Sequence, residues 1–258
     1  QFKCRSSEGH TLKLLFDLLV NNLRTANFLV SPHGITMSMC DTPRRVMFDI
    51  DLEADRFVVY KNTNAFAFGI NTGQLSRVMK TVKKKDSVKF SIARAEPQFL
   101  NVCVIPRDQA RTTISRIRIH PIQHESTPQP TGYTLQPISV DATDIQKACK
   151  DLMAIGSTNV RVTRASRTFV DLATDDDGII TRSIRLGGCD SDSDDDDDDD
   201  DDDYDYDETF DMIIFSRIQK ISSVGCTVHI HAQPGKPLHI RTSIGNSGRL
   251  SIFIKSNA

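Results

Sequence analysis

A short amphipathic pattern recurs four times along this chain, and the recurrence limits its possible architectures more than any single motif does. In LKLLFDLLVNNL, Leu12, Leu15, Leu19 and Leu23 fall on one helical face. QLSRVMKTVKK places Leu75, Val78, Met79 and Val82 at i, i+3, i+4 and i+7, and DIQKACKDLMAIG repeats that spacing with Ile145, Ala148, Cys149 and Leu152. The third segment has Asp141, Thr143 or Asp144 available as an N-cap and Gly156 as a stop. The fourth, SRIQKISSVG, keeps Ile218, Ile221 and Gly225. These helices start near residues 11, 74, 144 and 216, and each is followed by alternating strands such as SVKFSIA, FLNVCVI, VRVTRAS and TVHIHA. The spacing predicts an α+β fold of two similar domains, each a duplicated helix-plus-β-sheet unit. A Pro-, Ser- and Thr-rich stretch, HESTPQPTG, reads as a linker, so we expect domains at 1–120 and 133–258 joined by a connector at 121–132.

Charge is divided unevenly along the chain. From Asp190 to Glu208 there are fifteen acids and no base, ten of the aspartates being consecutive, and the net charge of -2 conceals a balance of +13 on the remainder. A run of like charges repels itself and buries no apolar surface, which predicts a disordered acidic loop over 189–208. A basic folded body has polyanions as its natural partners. No apolar run is long enough to span a membrane and the N-terminus lacks the regions of a signal peptide, so the reading is of a soluble, intracellular protein without a membrane partner. Six cysteines, Cys4, Cys40, Cys103, Cys149, Cys189 and Cys226, show no C-x-x-C or metal-ligand spacing and are read as reduced thiols buried as small hydrophobes.

Basic residues gather on the polar faces of the four helices: Lys13 on the first, Arg77, Lys80 and Lys84 on the second, Lys147 and Lys150 on the third, Arg217 and Lys220 on the fourth. Flexible Lys and Arg without aromatic neighbours supply charge to phosphates and read no bases, which points to the backbone of duplex DNA. No catalytic constellation stands out. His229 and His231 in HIHA share a strand face but have no acid or Cys beside them to complete a metal site, and Gly69 and Gly73 make no phosphate-cradling loop. No enzyme activity, metal or cofactor is therefore expected.

The ordered set of segments resembles the eukaryotic-type DNA sliding clamps, the proliferating cell nuclear antigen family. FKCRSSEGHTLKLLFDLL is similar to the family's opening strand and helix, FAFGINTGQLSRVMKTV to its G-V-N segment, and IQKACKDLMAIGSTNVRV to the second-half helix ending in D-L-x-x-I-G. The resemblance implies three subunits closing a ring around DNA, a homotrimer serving replication and repair in the nucleus or in a viral replication compartment. It also implies phosphate contacts at Lys13, Arg77, Lys80 and Lys150, and a polymerase, a clamp loader and other clamp-binding peptides as partners. A pocket for those peptides is implied at Arg45, Val46, Pro121, Ile122, Pro237, Phe253 and Ile254. Ring closure would pair strand 112–119 with strand 178–186, through Ile114, Ile117, Ile119, Ile180 and Ile184. Arg116, Arg118, Arg182 and Arg185 make both strands basic, which would weaken the seam. The sequence departs from the family at Val20 and Ala154, where basic or polar residues are usual, and in its connector. Two competing readings are a checkpoint-clamp-like subunit of a heteromeric ring and an acidic-tract protein binding basic partners such as histones through 190–208.

Overall fold

The computed structural model describes residues 2–108, 111–123, 127–176, 178–188 and 204–257. Four α-helices occupy the repeated positions: α1 (Gly9–Val20), α2 (Thr72–Met79), α3 (Ala142–Met153) and α4 (Met212–Ile218). Three of them begin the same way, on an Asn or Asp that ends a strand and turns its side chain to an orphan helix N–H. Asn71 accepts from Gln74 N, Asp141 from Thr143 N and Asp211 from Ile213 N. The apolar positions read from the sequence are the buried ones apart from the half-buried Val78, and include Leu12, Leu15 and Leu19 on α1 and Ile145, Ala148, Cys149 and Leu152 on α3.

Two helix boundaries differ from expectation. The fourth helix starts at Met212, not near 216, because Asp211 caps it there, and Gln219–Ser223 continues it as a tighter 3-10 turn. α2 ends at Met79, so Lys84 stands in the following turn and not on the helix. That end is closed from outside. The Lys13 ammonium donates to the carbonyls of Lys80 at 3.1 Å and Val82 at 3.3 Å, and Lys83 N donates to Asp86 Oδ2 at 2.9 Å.

The chain divides into two compact units: 1–129 with 223–225 and 243–251, and 130–222 with 226–242 and 252–258. In the first, an antiparallel sheet runs in the order Val59–Lys61, Phe2–Ser6, Ser87–Ile92, Phe99–Ile105, Thr113–Arg118. Its inward residues Phe2, Cys4, Val88, Phe90, Val102 and Ile117 are buried, as are Phe28, Phe48 and Phe68 from the unit's other strands. Gly9 lies so close to this sheet that a Cβ there would stand 2.6 Å from Asp86 O, so the start of α1 admits no side chain. The strand Val46–Glu53 goes beyond the strands expected from the sequence, and it buries Val46, Phe48, Ile50 and Leu52.

In the second unit a four-stranded antiparallel sheet runs Ile180–Gly187, Phe169–Asp176, Asn159–Arg164, Tyr206–Asp211. The expected disordered loop therefore ends too late at 208. Residues 204–208 are ordered, Tyr206 is 2% exposed, and Tyr206–Asp211 pairs along Asn159–Arg164. The charge run alone is a poor guide here, because Arg161 on the neighbouring strand pairs with Asp207 and Arg164 stacks over the Tyr204 ring at 4.9 Å. Residues 189–203, with the ten consecutive aspartates and Cys189, lie outside the described residues.

The thiols divide similarly. Burial pushes Cys4 and Cys149 up to about 12, so both are inert, and Cys103 is buried, but Cys226 is exposed, contrary to expectation.

Candidate DNA interface

In the first unit α1 and α2 pack together, and Ser76 on α2 donates to Asp17 Oδ1 on α1 at 2.7 Å. That bond occupies an acid of the helix pair in holding it together. Arg77 is exposed on α2, Lys80 at its C-cap and Lys84 just beyond it. Lys13 is different. Its ammonium is half committed to the end of α2, which fixes where it stands and leaves a donor over.

In the second unit α3 packs against α4. Lys150, Arg217 and Lys220 are exposed, the last from the 3-10 turn. Lys147 is paired with Asp144 at 3.0 Å across one helical turn, and that hydrogen bond raises its pKa. Its charge is compensated locally, so it offers less to an external anion than Lys150 does. In both units the basic side chains share the solvent side of a helix pair whose opposite side is apolar core.

The two strands expected at a seam are each the last strand of a sheet, Thr113–Arg118 in the first unit and Ile180–Gly187 in the second. Their backbones therefore present unpaired edges. The isoleucines on them do not all face out. Ile114 is 68% exposed and Ile180 49%, but Ile117 and Ile119 are buried in the core of the first unit, and Ile184 is half-buried. Strand alternation turns Ile117 inward while Ile114 faces solvent. Three of the four arginines on these strands are occupied inside their own unit. Arg116 pairs with Glu96 at 2.7 Å, Arg185 forms a fork with Asp171 at 2.9 and 3.0 Å, and Arg182 donates to Asp151 O at 2.8 Å. The acids at Arg116 and Arg185 reduce the expected repulsion, whereas the carbonyl that holds Arg182 carries no net charge to offset it.

Residues 1–127 match the family described as Proliferating cell nuclear antigen, N-terminal domain. This first half of the chain belongs to the proliferating cell nuclear antigen family. Along nearly its whole length it is similar to a probable DNA polymerase sliding clamp 1 of Paramecium bursaria Chlorella virus 1, 22% identical with 98% of this chain and 95% of that protein covered. A probable DNA polymerase sliding clamp of Orgyia pseudotsugata multicapsid polyhedrosis virus is 19% identical, covering 90% of this chain and 87% of that protein. DNA polymerase sliding clamp 1 of Pyrobaculum aerophilum is 21% identical over 89% of this chain and 87% of that protein.

Family membership brings the residues expected to line a peptide pocket into question one by one. Pro121 is exposed, and Ile122, Arg45 and Pro237 are half-buried. Val46, Phe253 and Ile254 are buried and present no surface to a peptide, a correction to the expectation. Val46 is held by Asp41, whose Oδ1 takes the N–H groups of Arg45 at 2.8 Å and Val46 at 2.9 Å. In the second unit Phe253 is stacked on His239 at 4.3 Å, His239 on His231 at 4.7 Å, and Tyr133 lies 5.2 Å from His239 with its hydroxyl donating to Pro237 O at 2.8 Å. Tyr133 and His239 are not marked by the sequence. Tyr133 sits in a polar linker where nothing singles it out, and His239 becomes visible only through its cross-strand register with His231. Burial, with Arg241 nearby, pushes His231 down to about 4, so this imidazole enters the stack neutral. Among the described residues no group of three or more His, Cys, Asp or Glu is placed to hold a metal ion.

Proposed function

We propose that this protein is a DNA sliding clamp, a polymerase processivity factor that encircles duplex DNA as a homotrimer and tethers replication and repair proteins to it. The observation that carries the reading is the repetition of one device in both units: a helix pair with apolar residues inward and Arg77, Lys80, Lys150, Arg217 and Lys220 exposed outward. Exposed, flexible cations exchange phosphates easily, so such a surface holds the duplex without stopping at any sequence and permits sliding. A closed ring then keeps its bound polymerase at high effective concentration near the primer end. Ring closure draws support from the two unpaired strand edges, which are available for pairing between copies. Peptide contacts are assigned to Arg45 and Ile122 in the first unit; within the second they are assigned to Pro237, where Tyr133, His239 and Phe253 supply an aromatic wall. The setting is the nucleus or a viral replication compartment.

Sedimentation of the pure protein tests the assembly. A species of three times 28.8 kDa is expected, and a strict monomer that closes only with other chains would favour the heteromeric reading. On primed circular DNA, substituting Lys80→Ala together with Lys150→Ala should lower the salt dependence of binding by roughly one logarithmic unit of slope for each phosphate no longer neutralised. Unchanged loading and processivity would remove these helices from the DNA path. Deleting 190–203 should leave processivity intact, whereas its loss would favour an acidic-tract function.

A further inference from the structure

The outward face of the five-stranded sheet in the first unit carries four cations in one block. Lys3 is directly opposite Lys61 in one cross-strand pair, and Arg5 is directly opposite Lys89 in the next. Neighbouring positions on the same side of the sheet, Val59, Ser91 and the buried Cys103, bear no charge, and Ser91 and Cys103 are the next residues in the two rows. Like charges directly opposite on a sheet destabilise it, so the arrangement calls for a counter-charge. Among the described residues none is supplied: Lys3, Arg5, Lys61 and Lys89 make no ion pair, and the buried Nε of Arg5 has no hydrogen-bond partner. Arg116, two strands further along, has Glu96 and is not part of the deficit.

We propose that this face is a docking surface for an acidic segment of a protein partner, bound in extended conformation with a carboxylate at every second residue. The geometry matches that chemistry. Each cross-strand pair spans about 5 Å, and the two rows lie two residues apart along the strand, about 7 Å, which is also the repeat of same-side side chains in an extended peptide. One carboxylate per row can therefore sit between two cations. Nucleic acid fits less well. Among the described residues the one aromatic ring on this face, Phe99, is covered by the Arg116 guanidinium at 4.4 Å, which leaves no platform for the bases of a single strand. The surface is separate from the helices assigned to DNA and does not depend on the clamp reading.

The test is fluorescence anisotropy of a labelled ten-residue synthetic peptide of alternating Glu and Ser, titrated with the full chain. Binding that weakens as salt is raised is expected, together with a roughly tenfold loss of affinity in a Lys3→Gln, Lys89→Gln double variant. That variant should melt no lower than the wild type, since it relieves repulsion, so a loss of binding is not a loss of folding. Unchanged affinity in the double variant overturns the proposal. So does tighter binding of a ten-nucleotide single strand through the same residues, which would make the face a nucleic-acid surface.

Discussion

The five-stranded sheet of the first unit and the four-stranded sheet of the second follow one plan, yet they treat charge in opposite ways. On the second, cations of the strands have met acids across the ladder: Arg161 pairs with Asp207 on one neighbour, and Arg185 forks onto Asp171 on another while lying 3.6 Å over the Phe169 ring. On the first, Lys3 faces Lys61 and Arg5 faces Lys89, and among the described residues no acid pairs with any of the four. A duplicated fold must keep its core pattern to pack, while its outer faces are free to diverge, because surface charges contribute little to stability. Among the described residues the first unit's face meets no counter-charge, and the second unit's face is closed.

Removing Arg164 should break the comparison most severely. Its guanidinium is 1% exposed and donates to the carbonyls of Gln136 at 2.8 Å, Ser166 at 3.0 Å and Ala232 at 3.3 Å. Arg164→Leu leaves buried carbonyls without donors and should cost about 3 kcal/mol, read as a fall in the urea midpoint. An unchanged midpoint would mean that water replaces the guanidinium. A pH titration sharpens the contrast next. The folded imidazole of His231 is held down to about 4 from an ordinary 6.5, so the unfolded chain takes up its proton first as pH falls. The stability it contributes is complete above 6.5 and is lost on the way down to about 4. His231→Phe should keep the stack and flatten the melting temperature across that window. The smallest effects distinguish the two sheets directly: Asp171→Ala should destabilise by about 0.5 to 1 kcal/mol by unpairing Arg185, whereas Lys89→Gln should stabilise by a few tenths. Equal signs in thermal melts would show that the charge patterns of the faces are energetically irrelevant.

The helices are legible in the sequence where an apolar period of 3.6 is long enough to show. On α3 the four residues read as the core face are the four that are buried, together with Ala142. The start of α4 is misread because Met212, Ile213, Ile214 and Phe215 form a continuous apolar run with no period. A signal is nonetheless present: Ile70-Asn71, Val140-Asp141 and Phe210-Asp211 each end a strand on a capping residue, and the third such pair marks the true start. The basic helix residues can be named from the sequence, but their separate conditions cannot all be. Nothing in the spacing shows that Lys13 closes the end of α2, which depends on where a flexible side chain finds an acceptor, whereas the i, i+3 spacing of Asp144 and Lys147 on one helix is itself a signal of their pairing.

The acidic run marks the same boundary between what the chain states and what its folding settles. By itself the sequence determined the α+β repeat, the basic remainder behind a net charge of -2 and the family, because periodicity and residue type survive without coordinates. Only the tertiary structure decided that the end of the run is a strand, with Tyr206 buried and Asp207 held by Arg161, and that Ile117 and Ile119 belong to the core. The physical reason is that a charge or an apolar side chain has no fixed environment along the chain. Its cost is set by the neighbour that the fold places opposite, and that neighbour comes from some other part of the sequence: Arg161 for Asp207, Asp171 for Arg185, and another cation for Lys3.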